Sequence, residues 1–362
     1  MTNKYILAIN PGSTSTKIAI FLSEEKVLSQ NISHSAEELA PFARIIDQHH
    51  FRQSMILAFL KDSAFDVTLL AAVVGRGGLL GPMASGTYLV NDEMTEFLKQ
   101  TKAEHASNLG ALLASDIARK IGVNAYIVDP VTVDEMSALA RITGLPEIPR
   151  ISIFHALNQK AAARQAARML GKPYEQCRLI VAHLGGGISV GAHVDGKVVD
   201  VNNALNGDGP FAPERAGSLP SWGLVELATS GRHDLPALKK MITGKGGIVA
   251  HLQVNDMRKV EEMVKAGDAR ATLVFEAMAY NVAKEIGALA AVMEGRIDAS
   301  VLTGGIAYDT LFVELIRRRV EFLGRLIVLP GEDEMTALAQ GALRVLLKEE
   351  KPKQWKHAGG NA

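Results

Sequence analysis

The sequence predicts an α/β fold built from two similar domains, and three observations carry that expectation. Residues 4–17 and 178–191 follow one plan: a buried strand, a tight turn of small residues, and a second strand. Each is then followed by a short polar turn, at 23–25 and at Asp195-Gly196, and by a third strand, over 26–33 and 197–202. Downstream of each set, apolar runs of strand length alternate with runs of helical period, as expected of sheets covered by helices. Asn10 and His183 are each the last polar residue before the turn, and they lie 173 residues apart in a chain of 362. That offset of about half the chain points to internal duplication.

The remaining elements follow in order. Residues 37–61 place Leu39, Phe42, Ile45, Ile46, Met55, Leu57 and Leu60 at helical period, with Pro41 near the start. A buried strand over 69–74 ends at Gly75-Arg76-Gly77-Gly78, a helix spans 109–121, and a strand over 125–128 ends at Asp129-Pro130. An alanine-rich helix covers 158–170. After the second hairpin set come a polar loop over 202–220, several helices, and a long helix over 269–294. A strand over 300–302 ends at Thr303-Gly304-Gly305, and a strand over 326–329 and a helix over 335–348 close the fold. The polar tail, 349–362, is expected to fray. Pro146 and Pro149 place the domain boundary at 144–150, giving domains 1–150 and 151–362; the last helix, near 335–349, is a candidate to pack on the first.

Composition narrows the class. Lysine plus arginine equals aspartate plus glutamate at 39 each, which argues against a nucleic-acid or membrane partner held by bulk charge. A single cysteine, Cys177, excludes an internal disulfide framework. No apolar stretch approaches the roughly 20 residues of a membrane helix, and the start of the chain lacks a signal-peptide plan. A cytoplasmic protein is expected.

Several motifs have both a chemical and a plain reading. Asn10-Pro11-Gly12-Ser13-Thr14-Ser15-Thr16-Lys17 reads as a phosphate-binding hairpin, because backbone N–H groups and the hydroxyls of Ser13 and Ser15 approach an anion closely. Alone it would be an ordinary turn; the lysine at its exit and the second copy strengthen the first reading. In that copy, His183-Leu184-Gly185-Gly186-Gly187, a glycine run weakens a strand and marks close approach by a ligand. It is neither a Walker A loop nor a dinucleotide fingerprint, since strand–turn–strand replaces strand–turn–helix. Arg76 and Asp129 each end a strand, where ligands of α/β sheets collect; the plain reading is an ion pair or a loop cap. Phe154-His155 precedes a helix, a mild anion site. Arg215 lies in a long loop rich in glycine and proline, a place where function concentrates. Asp256-Met257-Arg258 opens a charged helix, and Gly304-Gly305-Ile306-Ala307 follows a strand and would pass under a flat base. Glu332-Asp333-Glu334 precedes the last helix, near a metal–phosphate complex or simply complementing the helix dipole.

With these pieces in order, the chain resembles the acetate and butyrate kinase family, within the larger group of sugar kinases, actin and Hsp70-type ATPases, and most closely its butyrate kinases. The resemblance is carried by residues 10–17, 75–78, Val128-Asp129, Phe154-His155, 183–187, 214–217, 256–258 and 304–306. It implies two ribonuclease H-like domains facing across a nucleotide cleft, the first on the carboxylate and phosphate side, the second binding nucleotide and dimerising. The implied reaction is reversible, Mg2+-dependent phosphoryl transfer from ATP to butyrate or a similar short or branched carboxylate, giving butyryl phosphate and ADP. Propionate and acetate kinases are alternatives, as is an actin- or Hsp70-like ATP-binding switch. By the same resemblance Arg76 binds the substrate carboxylate, in a pocket with Gly77, Gly78 and Phe154. Asp129 is the acid/base or metal-orienting carboxylate, and His155, His183 and Arg215 stabilise the transition state. Ser13, Ser15, Lys17, His183 to Gly187, Asp256 to Arg258 and Gly304 to Asp309 contact ATP or ADP. Asn10 serves the metal with Asp333 or Glu334. A homodimer or larger homo-oligomer is implied. Three departures from acetate kinases stand out. Gly78 replaces a valine and would widen the acyl pocket, Gln159 replaces a histidine, and Asn206-Gly207-Asp208-Gly209 replaces an apolar-rich segment.

Overall fold

A computed structural model describes residues 4–357. They form two compact units, one of residues 4–133 with 333–357 and one of residues 134–332. The break expected at 144–150 falls inside the second unit. Glu135 binds Lys160 at 2.6 Å, Ser137 donates its N–H to Val199, and Arg150 pairs with Asp200 at 2.7 Å, tying this stretch to the second sheet.

The first unit holds a seven-stranded sheet. Strands β1 (Tyr5–Pro11), β2 (Ser15–Leu22) and β3 (Glu25–Ser33) form an antiparallel meander. Beside β1 lies β4 (Leu70–Arg76), parallel to it; β5 (Thr87–Leu89) runs antiparallel to β6 (Asn124–Val128), which is parallel to β4. On one face Leu7, Ile9, Ile18, Ile20 and Val73 pack against Leu109, Leu113 and Ile117 of helix Asn108–Ile121. The last helix, Glu334–Leu346, covers β1, β4 and β6.

The second unit repeats the plan. Strands β7 (Arg178–Leu184), β8 (Ile188–Val194) and β9 (Lys197–Val201) form the meander, with β10 (Ala299–Gly304) parallel to β7 and β11 (Leu326–Pro330) parallel to β10. Both first hairpins join seven-residue strands to their partners through three residues, 12–14 and 185–187. One face of the sheet packs Ile180, Leu184 and Val190 on Phe275, Met278, Val282 and Ile286 of helix Ala269–Val292. The other packs Leu179, Val181 and Val301 on the alanines of helix Ala156–Leu170. Helices Ser221–Thr229 and Leu235–Ile242 bury no residue, and Trp222 is 75% exposed.

Two local expectations fail for clear reasons. The run over 37–61 is not one helix: it divides into Ala36–Leu39, a 3-10 turn at Ile45–Gln48, and His49–Asp62. Pro41 follows the first segment and has no N–H to continue it. The tail is anchored rather than frayed as far as residue 357. Lys353–Gln354 adds an edge strand to β5, and Trp355 is buried, with its ring 5.1 Å from that of Phe97. Burial of an indole is worth about 2–3 kcal/mol, enough to hold a short segment whose polar composition suggests otherwise; residues 358–362 lie outside the described chain. Among the described residues no helix is long and apolar enough to cross a membrane.

Candidate active site

In the first unit, Asn10 and Arg76 stand near the C-terminal ends of neighbouring parallel strands, where side chains of an α/β sheet gather around ligands. Glu334, the first residue of the last helix, joins them. Its carboxylate accepts from the Asn10 amide and from the Arg76 guanidinium, while Arg76 also reaches Asn10 Oδ1 at 3.5 Å. Asp333 stands apart from this cluster. It caps the helix, accepting from Thr336 N–H at 2.9 Å and Thr336 Oγ1 at 2.7 Å, and pairs with Lys26 at 2.9 Å. The two acids that sequence leaves equivalent therefore differ in surroundings. Asp333→Ala is expected to lower stability by about 1 kcal/mol, as loss of a cap does, with little change in turnover. Glu334→Ala is expected to cut turnover by about 10²-fold through its loss from a charged site. Urea midpoints and initial rates of the two variants check this, and equal loss of turnover in both sinks the distinction.

Asp129 follows β6 and is 2% exposed. Its Oδ1 accepts from Gly86 N–H at 2.7 Å and its own N–H donates to Gly86 at 3.1 Å. This two-way clasp holds it at φ 37°, a conformation uncommon outside glycine and often found at functional sites. The room expected around Gly77 and Gly78 is absent. A Cβ on Gly78 would lie 2.6 Å from Asn108 Oδ1, which accepts the Leu79 N–H, and 3.0 Å from Leu98; a Cβ on Gly77 would lie 2.6 Å from Pro130. These glycines let the loop pack against its neighbours; they do not widen a pocket. Phe154, expected in the same pocket, is buried in the second unit.

The hairpin turn of the first unit exposes Ser13 and, on β2, Lys17, with Ser15 half-buried. Beneath it lies a residue that sequence reading missed. Arg52 is fully buried and donates to the carbonyls of Gly12 (2.8 Å), Ser13 (3.1 Å) and Ser15 (2.9 Å), to Thr16 Oγ1 (3.0 Å) and twice to Gln48. Burial lowers its guanidinium to about 10, so it remains charged at neutral pH. It occupies three carbonyls of the turn proposed to bind phosphate. Its signal was available: Arg52, Ile56 and Leu60 are the buried residues of their helix, at a spacing of four.

In the second unit, His183 is the buried next-to-last residue of β7 and pairs in register with Ser189 on β8 and Thr303 on β10. His155 caps helix Ala156–Leu170 and stacks on His183, ring centroids 4.1 Å apart and 24° from parallel. His183 Nε2 faces Glu332 at 3.3 Å. Arg215 lies on the third glycine of the turn: a Cβ on Gly187 would fall on its guanidinium. Nη1 donates to Ala204 at 2.6 Å, and burial pushes the Arg215 guanidinium below its ordinary range. Gly304, at φ 92°, allows the end of β10 to pack on the backbone of Leu184, a position closed to a larger residue.

Beside the turn opens a cavity of about 580 Å³. Gly185, Gly186, Asp256, Met257, Arg258, Gly305 and Ile306 line it, as does Asp309, whose carboxyl burial pushes up. Leu184, Gly187, Gly304 and Ala307 do not line it, and Ala307 and Leu184 are core residues. Tyr308 also lines it, and Glu261 and Asn255 line it without having been singled out from sequence. Asp256 caps helix Met257–Lys265 and pairs with Arg258 at 2.8 Å; that guanidinium holds the Asp256 carboxyl below its usual range.

A profile of the Acetokinase family matches residues 149–346, more than half the chain. This chain belongs to the acetokinase family. Its fold agrees with solved structures. Porphyromonas gingivalis acetate kinase superposes with a TM-score of 0.78 at 21% identity, covering 95% of this chain and 100% of that one. A propionate kinase from Francisella tularensis subsp. tularensis SCHU S4 gives 0.74 at 20%, covering 93% and 98%. Acetate kinase from Entamoeba histolytica gives 0.74 at 18%, covering 95% and 100%. The two α/β units are thus the duplicated ribonuclease H-like domains of this fold. Acetokinase membership carries the reaction class, phosphoryl transfer involving ATP and a carboxyl acceptor.

Proposed function

We propose that this acetokinase transfers the terminal phosphoryl group of ATP reversibly to a short-chain carboxylate, giving ADP and an acyl phosphate, with butyrate as the acceptor. The observation that supports the reaction best is the Gly185–Gly187 turn, with Arg215 seated on Gly187 and the His155–His183 stack at its root. A carboxylate is already an anion and needs no base to become a nucleophile; the difficulty is bringing it to a second anion. Catalysis then rests on positioning and on offsetting charge. Arg76, a planar guanidinium, would clamp the acid's carboxylate, exchanging part of its contact with Glu334. Arg215, His155 and His183 would donate to the oxygens of the transferring group. Ser13, Ser15 and Lys17 would bind phosphate, and the cavity lined by Gly185, Asp256 to Arg258 and Gly305 would hold the nucleotide. Asp129 would act as a fixed carboxylate orienting the metal or a proton.

The chemistry of Asn10 and Glu334 fits Mg2+. They offer an amide oxygen and a carboxylate, and Mg2+ takes one or two such ligands together with phosphate oxygens and water. Among the described residues no cluster of three or more His, Cys, Asp or Glu would hold a metal alone. Bound there, Mg2+ would supply charge neutralisation at the phosphate oxygens.

The choice of butyrate rests on the resemblance, since Gly77 and Gly78 do not enlarge a pocket. Trapping acyl phosphate as hydroxamate across acetate, propionate, butyrate and branched acids tests both levels. Butyrate is expected to exceed acetate in kcat/KM, each fitted methylene being worth roughly 1–3 kcal/mol. Preference for acetate removes butyrate but keeps the carboxylate kinase; ATP binding with no acid-dependent product removes both and leaves a nucleotide-binding switch.

A further inference from the structure

Beneath His155 lies a chain of buried polar side chains whose hydrogen-bond directions are fixed. Gln159, one helical turn on from His155, places Nε2 3.0 Å from the Ser189 backbone carbonyl and 2.8 Å from Ser189 Oγ. A carbonyl only accepts, so the amide nitrogen must face it, and both its hydrogens are used. Its Oε1 then accepts from His193 Nε2 at 2.9 Å. His193 is fully buried; burial, then Lys160 and Arg164, hold its imidazole well below the usual range, so it is neutral. With its one proton on Nε2, its Nδ1 accepts from Tyr174 O–H at 2.8 Å. Gly191, two residues along β8 from Ser189, leaves the room: a Cβ there would lie 2.6 Å from Gln159 Oε1.

The direction propagates to the active site. Ser189 is fully buried, and its Oγ already accepts from Gln159. Its own proton goes to His155 Nδ1, 2.9 Å away. A protonated Nδ1 would leave the Ser189 hydroxyl hydrogen without this acceptor, at the cost of a buried unsatisfied donor. We infer that Tyr174, His193, Gln159 and Ser189 are positioning residues that fix His155 as a neutral imidazole with its proton on Nε2. In the reaction proposed above, on which only this clause rests, His155 donates a hydrogen bond to the phosphoryl group; it does not act as a base through Nδ1. Glutamine suits this place because its amide donates at one end and accepts at the other.

Nitrogen-15 NMR of the histidine-labelled full chain at pH 7 reads the tautomer directly, His155 being assigned by its loss in His155→Asn. The expected spectrum has protonated Nε2 and unprotonated Nδ1; protonated Nδ1, alone or with Nε2, overturns the inference. In Ser189→Ala the two tautomers should mix, and kcat should fall by about 10–100-fold, the range for loss of a residue that orients a functional histidine, at unchanged KM for ATP. Gln159→Glu, whose carboxylate accepts but does not donate, should move the proton to Nδ1. A Ser189→Ala spectrum identical to wild type overturns the positioning role, and an altered spectrum with unaltered kcat overturns the donor role. The wild-type spectrum decides the tautomer even if neither variant folds, and even if no carboxylate proves to be a substrate.

Discussion

Arg215→Ala will lower kcat by about 10²–10³, the usual loss when one charged donor to a developing transition state is removed, and will leave the protein folded. The structural part of the expectation is modest. The guanidinium makes one hydrogen bond, to Ala204, worth about 1 kcal/mol. The chemical part is larger, because burial keeps water from screening its charge. Gly187→Ala offers an independent route to the same defect. Its Cβ would land on the guanidinium, so the arginine would be present but displaced. Both variants should therefore lose kcat, and added guanidinium ion should restore part of the loss only in Arg215→Ala, where the seat is vacant. Steady-state rates with far-UV circular dichroism check this. A folded Arg215→Ala of wild-type turnover removes the residue from the mechanism.

Arg52→Met will cost about 3–6 kcal/mol of stability. The side chain is of similar length, so little cavity forms; what is lost is the donor set. The Ser15 carbonyl keeps the Gly12 N–H and Thr16 Oγ1 keeps its bond to His34 Nε2, but the carbonyls of Gly12 and Ser13 and Gln48 Oε1 would lose their donor. Each buried acceptor stranded in this way costs roughly 1–3 kcal/mol, and partial relaxation of the turn keeps the total below the full sum. Against a typical stability of about 5–15 kcal/mol, the variant is marginal. Arg52→Lys should recover only part, since an ammonium cannot span five acceptors as a planar guanidinium does. Urea denaturation with and without ATP measures both. Stability of Arg52→Met within about 1 kcal/mol of wild type, the size of a single hydrogen bond, would falsify the account.

Much of this was legible in the chain itself. The duplicated hairpins were visible because buried strands and small-residue turns leave a local pattern, and Asn10 and His183 do occupy matching places in β1 and β7. Arg76, His155 and Arg215 stood out by position, at a strand end, a helix start and a long loop. What could not be read depended on distant packing. Asp333 and Glu334 are adjacent in sequence, and only the direction of the last helix decides which faces Asn10. Gly78 invited a reading of open space because a missing side chain does not reveal what fills its place; here that is Asn108. Arg52 was overlooked because a cation on an apolar stripe is sensible only once the turn it supports is known. Trp355 was lost in a polar tail for the same reason, its partner Phe97 lying far back in the chain.

The unit containing β1 is stitched from two separated segments, 4–133 and 333–357, whereas 134–332 is one uninterrupted stretch. During translation the middle of the chain therefore has all its parts before the beginning does. Glu334, which meets Asn10 and Arg76, and the helix that seals one face of their sheet leave the ribosome only after the whole second unit has been made. The domain started first is thus the last to be finished, and a half-built nascent chain lacks the acidic member of that cluster.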